Sequence, residues 1–355
     1  MKIASIVGVR PQFVKASVVS KQLRKDHEEV LIHTGQHYDY KMNDVFFTEL
    51  NIPEPEYFLG IGSGSHGYQT GEMLKKIEEV LIKEEPEIVL TYGDTNSTLA
   101  GALAAAKLHI RNAHVESGLR SFDRSMPEEI NRVLTDHCSD LLFCPTENAV
   151  ENLKMEGIKD NVYLTGDVMA DSLLHNKEIA ETRSTILSDL NLKSKEYAVA
   201  TIHRASNTDI KENLQNIVDA FSQLDETIVF PVHPRTRKLL KEYGLYERLN
   251  SAVKLVEPLG FLDFIKLMDH SKLILTDSGG IQKEAYILKI PCITLRENSE
   301  WGETIEDGWN VLVGTDKAKI FQAVSSFRPS LKLHRNRFGN GDAAEKIASI
   351  IGGLS

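Results

Sequence analysis

Residue types able to do chemistry recur where short apolar runs end. The most pointed is Thr276-Asp-Ser-Gly-Gly-Ile-Gln-Lys-Glu284. An apolar run over 273–276 stops there, Gly279 and Gly280 bare their backbone N–H groups, and a helical run begins. N–H groups at a helix N-terminus attract anions, so Ser278, Gly279 and Gly280 read as a diphosphate cradle. Glu284, further along the same helix, can accept both hydroxyls of a ribose. The competing reading is an ordinary tight turn. A second apolar run, 197–202, ends in His203-Arg204. That pair suits a phosphate or a departing phosphoryl oxygen. The alternative is a buried histidine satisfied by a backbone carbonyl.

Four more motifs lie in the first half of the chain. In Gly8-Val-Arg10-Pro11, the proline fits the first position of a helix, which sets Arg10 at its mouth and Lys15 a turn further on. An anion there meets N–H groups, the helix dipole and a guanidinium; the alternative is a solvated loop arginine. In Tyr92-Gly-Asp94-Thr95, Asp94 is either a carboxylate aimed into a cleft or, with Thr95, a helix cap. In His114-Val-Glu116-Ser-Gly-Leu-Arg120, Glu116 is a candidate general acid or base, or the partner of Arg120 or Arg124 in an ion pair. Ser125-Met-Pro-Glu128-Glu-Ile-Asn-Arg132 has capping-box spacing, and Glu128 with Arg132 is an i,i+4 pair. Those two local roles account for Glu128 without any chemistry.

Two strings carry less. Gly62-Ser-Gly-Ser-His-Gly67 matches G-x-G-x-x-G but does not follow the first strand of a βαβ unit, so it reads as a mobile loop, a lid. His233-Pro-Arg235 is a basic spot after an apolar run. The phosphate-loop string G-x-x-x-x-G-K-[ST] is absent.

The elements that must position these residues follow from periodicity. Residues 3–7, 29–33, 88–92, 113–116, 141–144 and 163–165 read as buried strands, with helical spacing between them. The pattern restarts after 168, with strands over 197–202, 227–232, 253–256, 273–276 and 292–295. Such alternation marks doubly wound α/β sheets, here two Rossmann-like halves. Sheets of that kind bind ligands beyond the carboxyl ends of their strands, where the motifs stand. Residues 343–351 form a closing amphipathic helix after a Gly-Asn-Gly turn.

Composition bounds the rest. The chain has 355 residues, 41% of them hydrophobic, and a formal net charge of −10. The length suits two domains of about 150–200 residues each. The acidic balance argues against nucleic acid as a partner, since polyanion binding needs clustered Lys and Arg. The three cysteines, Cys138, Cys144 and Cys292, give neither a disulfide framework nor a zinc site. No run approaches membrane-spanning length, and the strand-like run at the N-terminus is too short for a signal segment, so a cytoplasmic protein is expected.

Taken in order and spacing, Gly8-x-Arg-Pro11, Gly93-Asp-Thr95, His114-Val-Glu-x-Gly-Leu-Arg120, Pro127-Glu-Glu-x-Asn-Arg132, His203-Arg204 and the 276–284 segment resemble the non-hydrolysing UDP-N-acetylglucosamine 2-epimerases along nearly the whole chain. The resemblance implies the glycosyltransferase-B fold, with the ligand in the inter-domain cleft. It implies a first domain of 1–168 plus the helix at 339–355, and a second of 169–338. It implies UDP expulsion from C1 with removal of the C2 proton, a 2-acetamidoglucal intermediate, and re-addition. Asp94, Glu116 and Glu128 are then the acid/base carboxylates, sharing the two faces of C2. His203 steadies the leaving diphosphate, with Arg10, Ser278, Gly279 and Gly280. Glu284 holds the ribose, the loop 258–261 ending in Phe261 holds uracil, and Lys15, Arg132, Arg204 and Arg296 are supporting charges. A UDP-sugar partner, a homodimer, no nicotinamide cofactor and no metal are implied as well.

Three departures refine this. The run Arg204-Ala-Ser-Asn207 lacks the acidic residue that many relatives carry near Ser206. Gln36-His37 is followed by Tyr38-Asp-Tyr-Lys-Met-Asn-Asp44, where activator-dependent relatives have a glutamine-bearing stretch. Residues 10–20, 118–122 and 297–301 are similar to a subgroup that includes enzymes for UDP-2,3-diacetamido-2,3-dideoxyglucuronic acid. A uronate needs a cation near C6, and Arg120 or Arg124 can supply it. Competing functions on the same fold are a hydrolysing epimerase, a glycosyltransferase and an inactive nucleotide-sugar sensor. A sensor would be expected to lose the carboxylates and His203, which are all present.

Overall fold

A computed structural model describes residues 1–36 and 53–354. The stretch Tyr38–Asp44, read above for activator dependence, lies outside the described residues. The chain forms two compact units, residues 1–172 with 337–355, and residues 173–336. The boundaries differ by a few residues from the expected 168/169 and 338/339, because the helix Val168–Arg183 runs unbroken past the first of them.

The first unit holds a parallel sheet of β1 (Lys2–Val7), β2 (Glu28–His33), β3 (Tyr57–Phe58), β4 (Ile88–Tyr92), β5 (Arg111–Val115), β6 (Leu141–Cys144) and β7 (Val162–Leu164), in the order β3-β2-β1-β4-β5-β6-β7. The second holds β8 (Ala198–Thr201), β9 (Ile228–Pro231), β10 (Lys254–Val256), β11 (Leu273–Thr276), β12 (Cys292–Thr294) and β13 (Asn310–Leu312), in the order β10-β9-β8-β11-β12-β13. Both sheets are parallel, and in each the direction of winding reverses beside its first strand. Strands β3 and β13 are additional to the strands expected from the sequence.

The strands are apolar on both faces because helices cover both. In the first unit Ile3, Val7, Leu31 and Leu90 pack under the helix Arg10–Leu23 and under Ala343, Ile347 and Ile351 of the closing helix Ala343–Gly352. On the other face Ala4, Ile6, Val30, Ile32 and Val89 meet Met73 and Ile77 of the helix His66–Glu84, and Ala100 and Ala104 of the helix Asn96–Lys107. In the second unit Ala198, Ala200, Phe230 and Leu275 pack on Leu214, Ile217 and Phe221, while Val199, Val229 and Ile274 pack on Ile265, Met268 and Ala285. Each large apolar side chain so buried contributes about 1.5–3 kcal/mol. Cys144 and Cys292 belong to these interiors, where burial pushes their thiols up to about 12. The loop 62–65, read as a lid, joins β3 to the helix His66–Glu84, and Gln69 Nε2 donates to its Gly62 carbonyl at 2.7 Å.

Candidate active site

In each unit the motif residues gather at the carboxyl ends of the strands beside the reversal. In the first unit Gly8 follows β1. A Cβ at this position would lie 2.1 Å from Ser97 Oγ and 2.3 Å from Thr34 Oγ1, so only glycine fits. The Gln12 carboxamide then stitches two turns together. Its oxygen accepts from Gly8 N–H at 2.8 Å, and its nitrogen donates to the Tyr92 carbonyl at 2.7 Å and to Thr98 Oγ1 at 2.9 Å. Sequence reasoning passed over Gln12, although its place one turn into a helix after a glycine was a visible signal. Arg10 opens that helix and is exposed.

Lys15 is only 7% exposed, and its ammonium pairs with the Glu116 carboxylate. Glu116 therefore does not pair with Arg120 or Arg124. It sits just past β5 with φ +76°, a conformation that costs a non-glycine residue about 1–3 kcal/mol and persists where surroundings enforce it. Gly93, at φ +65°, leaves room for the same ammonium: a Cβ there would lie 3.0 Å from Lys15 Nζ.

Thr95 is the N-cap of the helix Asn96–Lys107, accepting from Thr98 N–H. Asp94 is thus free of capping, and its carboxylate pairs with Arg132 Nη2 at 2.6 Å. Arg132 also reaches Glu129 at 3.0 Å. Glu129 in turn accepts from Ser121 N–H at 2.8 Å and Phe122 N–H at 2.9 Å, which pins the loop after Arg120.

The capping box is not formed. Met126 takes the N-cap of the helix Pro127–His137, and Ser125 Oγ instead donates to Asp123 at 2.6 Å. Nor does Glu128 pair with Arg132. Among the described residues Glu128 is exposed and has no hydrogen-bond or ion-pair partner. Both local roles proposed for it are therefore overturned. Arg120 is also corrected as a cation for a uronate: its buried guanidinium is consumed by Asp136 at 2.7 Å and Glu156 at 2.6 Å.

In the second unit Ser278 is the N-cap of the helix Gly279–Ile287, its side chain making no cap hydrogen bond. A Cβ at Gly280 would meet nothing closer than 3.9 Å, so N–H groups and space coincide at this helix start. Trp301 Nε1 donates to the Gly279 carbonyl at 2.8 Å, and Lys283 Nζ lies 4.6 Å from the Trp301 ring centre. Arg296 forks onto Glu300 with two bonds of 2.9 Å, and Arg204 approaches the same carboxylate at 3.7 Å.

His203 is exposed rather than a buried core histidine. Its turn is held by the fully buried Asp277, which accepts from His203 N–H at 3.1 Å and Arg204 N–H at 3.0 Å. Asp277 Oδ1 lies 3.6 Å from His203 Nδ1. Asp277 stood inside the quoted motif but carried no assigned role, since its partners lie over seventy residues away. Glu284 is half-buried with no hydrogen-bond or ion-pair partner among the described residues, and burial pushes its carboxyl up to about 7 against the pull of Lys283. Phe261 opens the helix Phe261–Asp269 and packs against the second unit's core. His233 caps the helix Pro234–Glu242, and Arg235 pairs with Asp209 at 2.6 Å, which gives that basic spot a local structural role.

Polar residues beyond a strand-order reversal, in two sheets of Rossmann-like order, define a nucleotide-binding α/β protein. The model of the UDP-N-acetylglucosamine 2-epimerase family matches residues 21–352, and the chain belongs to that family. It is 58% identical to a UDP-N-acetylglucosamine 2-epimerase homolog of Methanococcus maripaludis, over 100% of both chains. It is 46% identical to the UDP-2,3-diacetamido-2,3-dideoxy-D-glucuronate 2-epimerase of Pseudomonas aeruginosa, again over 100% of each. Among solved structures, it matches the Methanocaldococcus jannaschii UDP-GlcNAc 2-epimerase in complex with UDP-GlcNAc and UDP. That match has a TM-score of 0.84 and 49% identity, covering 99% of this chain and 100% of the other. The fold is the one expected, two Rossmann-like domains of the glycosyltransferase-B type. No helix among the described residues is long and apolar enough to cross a membrane.

Proposed function

We propose that this chain interconverts UDP-N-acetylglucosamine and UDP-N-acetylmannosamine without hydrolysing them. The observation that carries the reading is the pair of cross-linked carboxylates at adjacent strand ends of one sheet, Glu116 on Lys15 and Asp94 on Arg132. The C2 proton has no carbonyl beside it, so it is a poor acid and cannot simply be pulled off. Expelling UDP supplies the missing electron sink. A carboxylate takes the C2 proton, the C–H electrons form the C1=C2 double bond, and the C1–O electron pair leaves with the diphosphate. Reversal with a proton delivered to the opposite face gives the epimer. Nothing is oxidised overall, so the reaction calls for no nicotinamide.

In this reading Asp94, Glu116 and Glu128 are the acid/base groups. His203 and Arg10, with the N–H groups at Ser278, Gly279 and Gly280, hold the departing diphosphate, where fixed donors stabilise developing charge. Arg204 and Arg296 are the supporting cations of that site, and Lys15 and Arg132 those of the carboxylates. Glu284 accepts the ribose hydroxyls, and the loop ending at Phe261 takes uracil. The protein works as a cytoplasmic homodimer.

A second substrate has one specific observation in its favour, the full-length 46% identity to an epimerase named for the diacetamido uronate. With Arg120 consumed, Arg124 is the exposed cation remaining for a carboxylate at C6. Proton NMR in deuterated buffer decides both points. UDP-N-acetylglucosamine is expected to yield UDP-N-acetylmannosamine with deuterium at C2. Exchange with the diacetamido uronate alone would move the substrate, and exchange with neither would reject the epimerase.

A further inference from the structure

One buried chain of charges joins the two carboxylate-bearing turns of the first unit, and the proposed chemistry makes no use of it. Glu156 grips Arg120 twice, at 2.6 Å from Nε and 2.8 Å from Nη2. Arg120 Nη1 reaches Asp136 Oδ2 at 2.7 Å. Asp136 Oδ1 lies 2.7 Å from His114 Nδ1, and the other ring nitrogen, Nε2, lies 2.7 Å from the Gly93 carbonyl oxygen. Asp136 Oδ2 also accepts the Gly118 N–H at 3.1 Å. The side chains of His114 and Asp136 are completely buried, and that of Arg120 nearly so. The outer end of the chain is wetter: His137 Nε2 lies 3.2 Å from Glu156.

The placement of hydrogens fixes what this means. A carboxylate and a peptide carbonyl are both acceptors, whereas a neutral imidazole has one N–H and one lone pair. With a neutral ring, one of the two 2.7 Å contacts would set lone pair against lone pair in a site closed to solvent. Both contacts are satisfied when both nitrogens carry protons. The charges then balance, with Glu156 and Asp136 negative and Arg120 and His114 positive. Moving the extra proton to Asp136 does not serve. The Arg120 guanidinium at 2.7 Å and the Gly118 N–H at 3.1 Å both favour the carboxylate over the acid at Asp136.

We propose that Asp136 is a positioning residue of the epimerase reaction. Through an imidazolium His114 it fixes the Gly93 carbonyl, hence the turn that carries Asp94, and through Gly118 it fixes the turn that carries Glu116. A further backbone bond, Gly93 N–H to the Val115 carbonyl at 3.0 Å, makes the two turns one body. The consequence for turnover rests on the epimerase reading; the protons on His114 do not.

The test therefore has two arms on the full chain. With 15N-labelled histidine, His114 is expected to show two protonated ring nitrogens at neutral pH, with the signal assigned by its loss in His114→Gln. One bare ring nitrogen at pH 7 overturns the proposal. In kinetics, Asp136→Asn is expected to lower kcat by about 10–100-fold, the scale set by small misplacements of reacting groups, while KM and UDP affinity stay within about twofold. Asp136→Glu should recover part of kcat. A lower thermal midpoint with unchanged kcat would mean a purely structural role and overturn the proposal. If Asp136→Asn does not fold, His114→Gln carries the same kinetic expectation. A wild-type chain that exchanges C2 in neither UDP-sugar, yet shows an imidazolium His114, rejects the epimerase reading and leaves the network supported by its spectrum.

Discussion

The two units treat the charges of their motif residues in opposite ways. In the first unit two of the three acid/base candidates are already paired, Glu116 with Lys15 and Asp94 with Arg132, and the cations are largely withdrawn from water. In the second unit Arg296 is paired with Glu300, but the groups read as gripping the ligand are more open. His203 and Arg204 are exposed, a Cβ at Gly280 would meet nothing closer than 3.9 Å, and Glu284 has no hydrogen-bond or ion-pair partner among the described residues. The difference teaches which demand each half meets. Groups that move a proton must be placed to a fraction of an ångström, and ion pairs with backbone stitching do that. Groups that grip a ligand which arrives, leaves and returns must offer unsatisfied donors and acceptors.

Glu116→Gln tests that division with the largest expected effect. It keeps the side chain's shape and removes its basicity. Turnover should fall by about a thousandfold, within the range for losing a general acid or base. UDP affinity, measured by calorimetry, should be unchanged. A parallel loss of UDP affinity would mean that the two halves do not divide the work.

Glu284→Gln sharpens the other side. Burial pushes its carboxyl up to about 7 in the folded chain, against an ordinary value of 4.5. Between those values the folded state holds a proton that the unfolded state has lost, so stability falls as pH rises from about 4.5 to about 7 and stays lower above. At 1.36 kcal/mol per pH unit the cost of ionising Glu284 is roughly 3 kcal/mol, an upper figure for a side chain with some solvent access. Glutamine removes that cost. The variant should melt higher than wild type at pH 8, match it at pH 4, and bind UDP about tenfold more weakly. A carboxylate that serves only the fold would show no loss of UDP affinity.

The same contrast governs how much was legible beforehand. The doubly wound sheets were visible because each central strand is an apolar run and each ends in a polar turn. The cradle was visible as a place because it is local: Ser278, Gly279 and Gly280 are consecutive, and a helix start needs no distant partner. The first unit's geometry was not. Glu116 finds Lys15 across a hundred residues, and Asp136 finds His114 and Gly118 through the docking of a helix on a strand end. Nothing in local spacing specifies such pairs. Local rules even misled at Ser125, where the capping-box string is present but Ser125 bonds back to Asp123 and the helix begins at Pro127. The inward face of that helix is polar, with Glu129, Asn131, Thr135 and Asp136 buried, which reverses the usual amphipathic pattern.

Glu128 yields the smallest stability effect and the cleanest separation of the two kinds of role. It stands in the first turn of the helix Pro127–His137, exposed, with no partner among the described residues, and Arg132 turns away from it to Asp94 and Glu129. What remains is attraction between its charge and the helix N-terminus, worth a few tenths of a kcal/mol at an exposed site. Glu128→Gln should therefore shift urea unfolding by less than about 0.5 kcal/mol. An acid/base group at the same position predicts a loss of turnover of at least about a hundredfold, with UDP affinity intact. Loss of both stability and turnover would make it part of the scaffold that orders Asp94. Loss of neither would leave Asp94 and Glu116 to serve both faces of C2 between them.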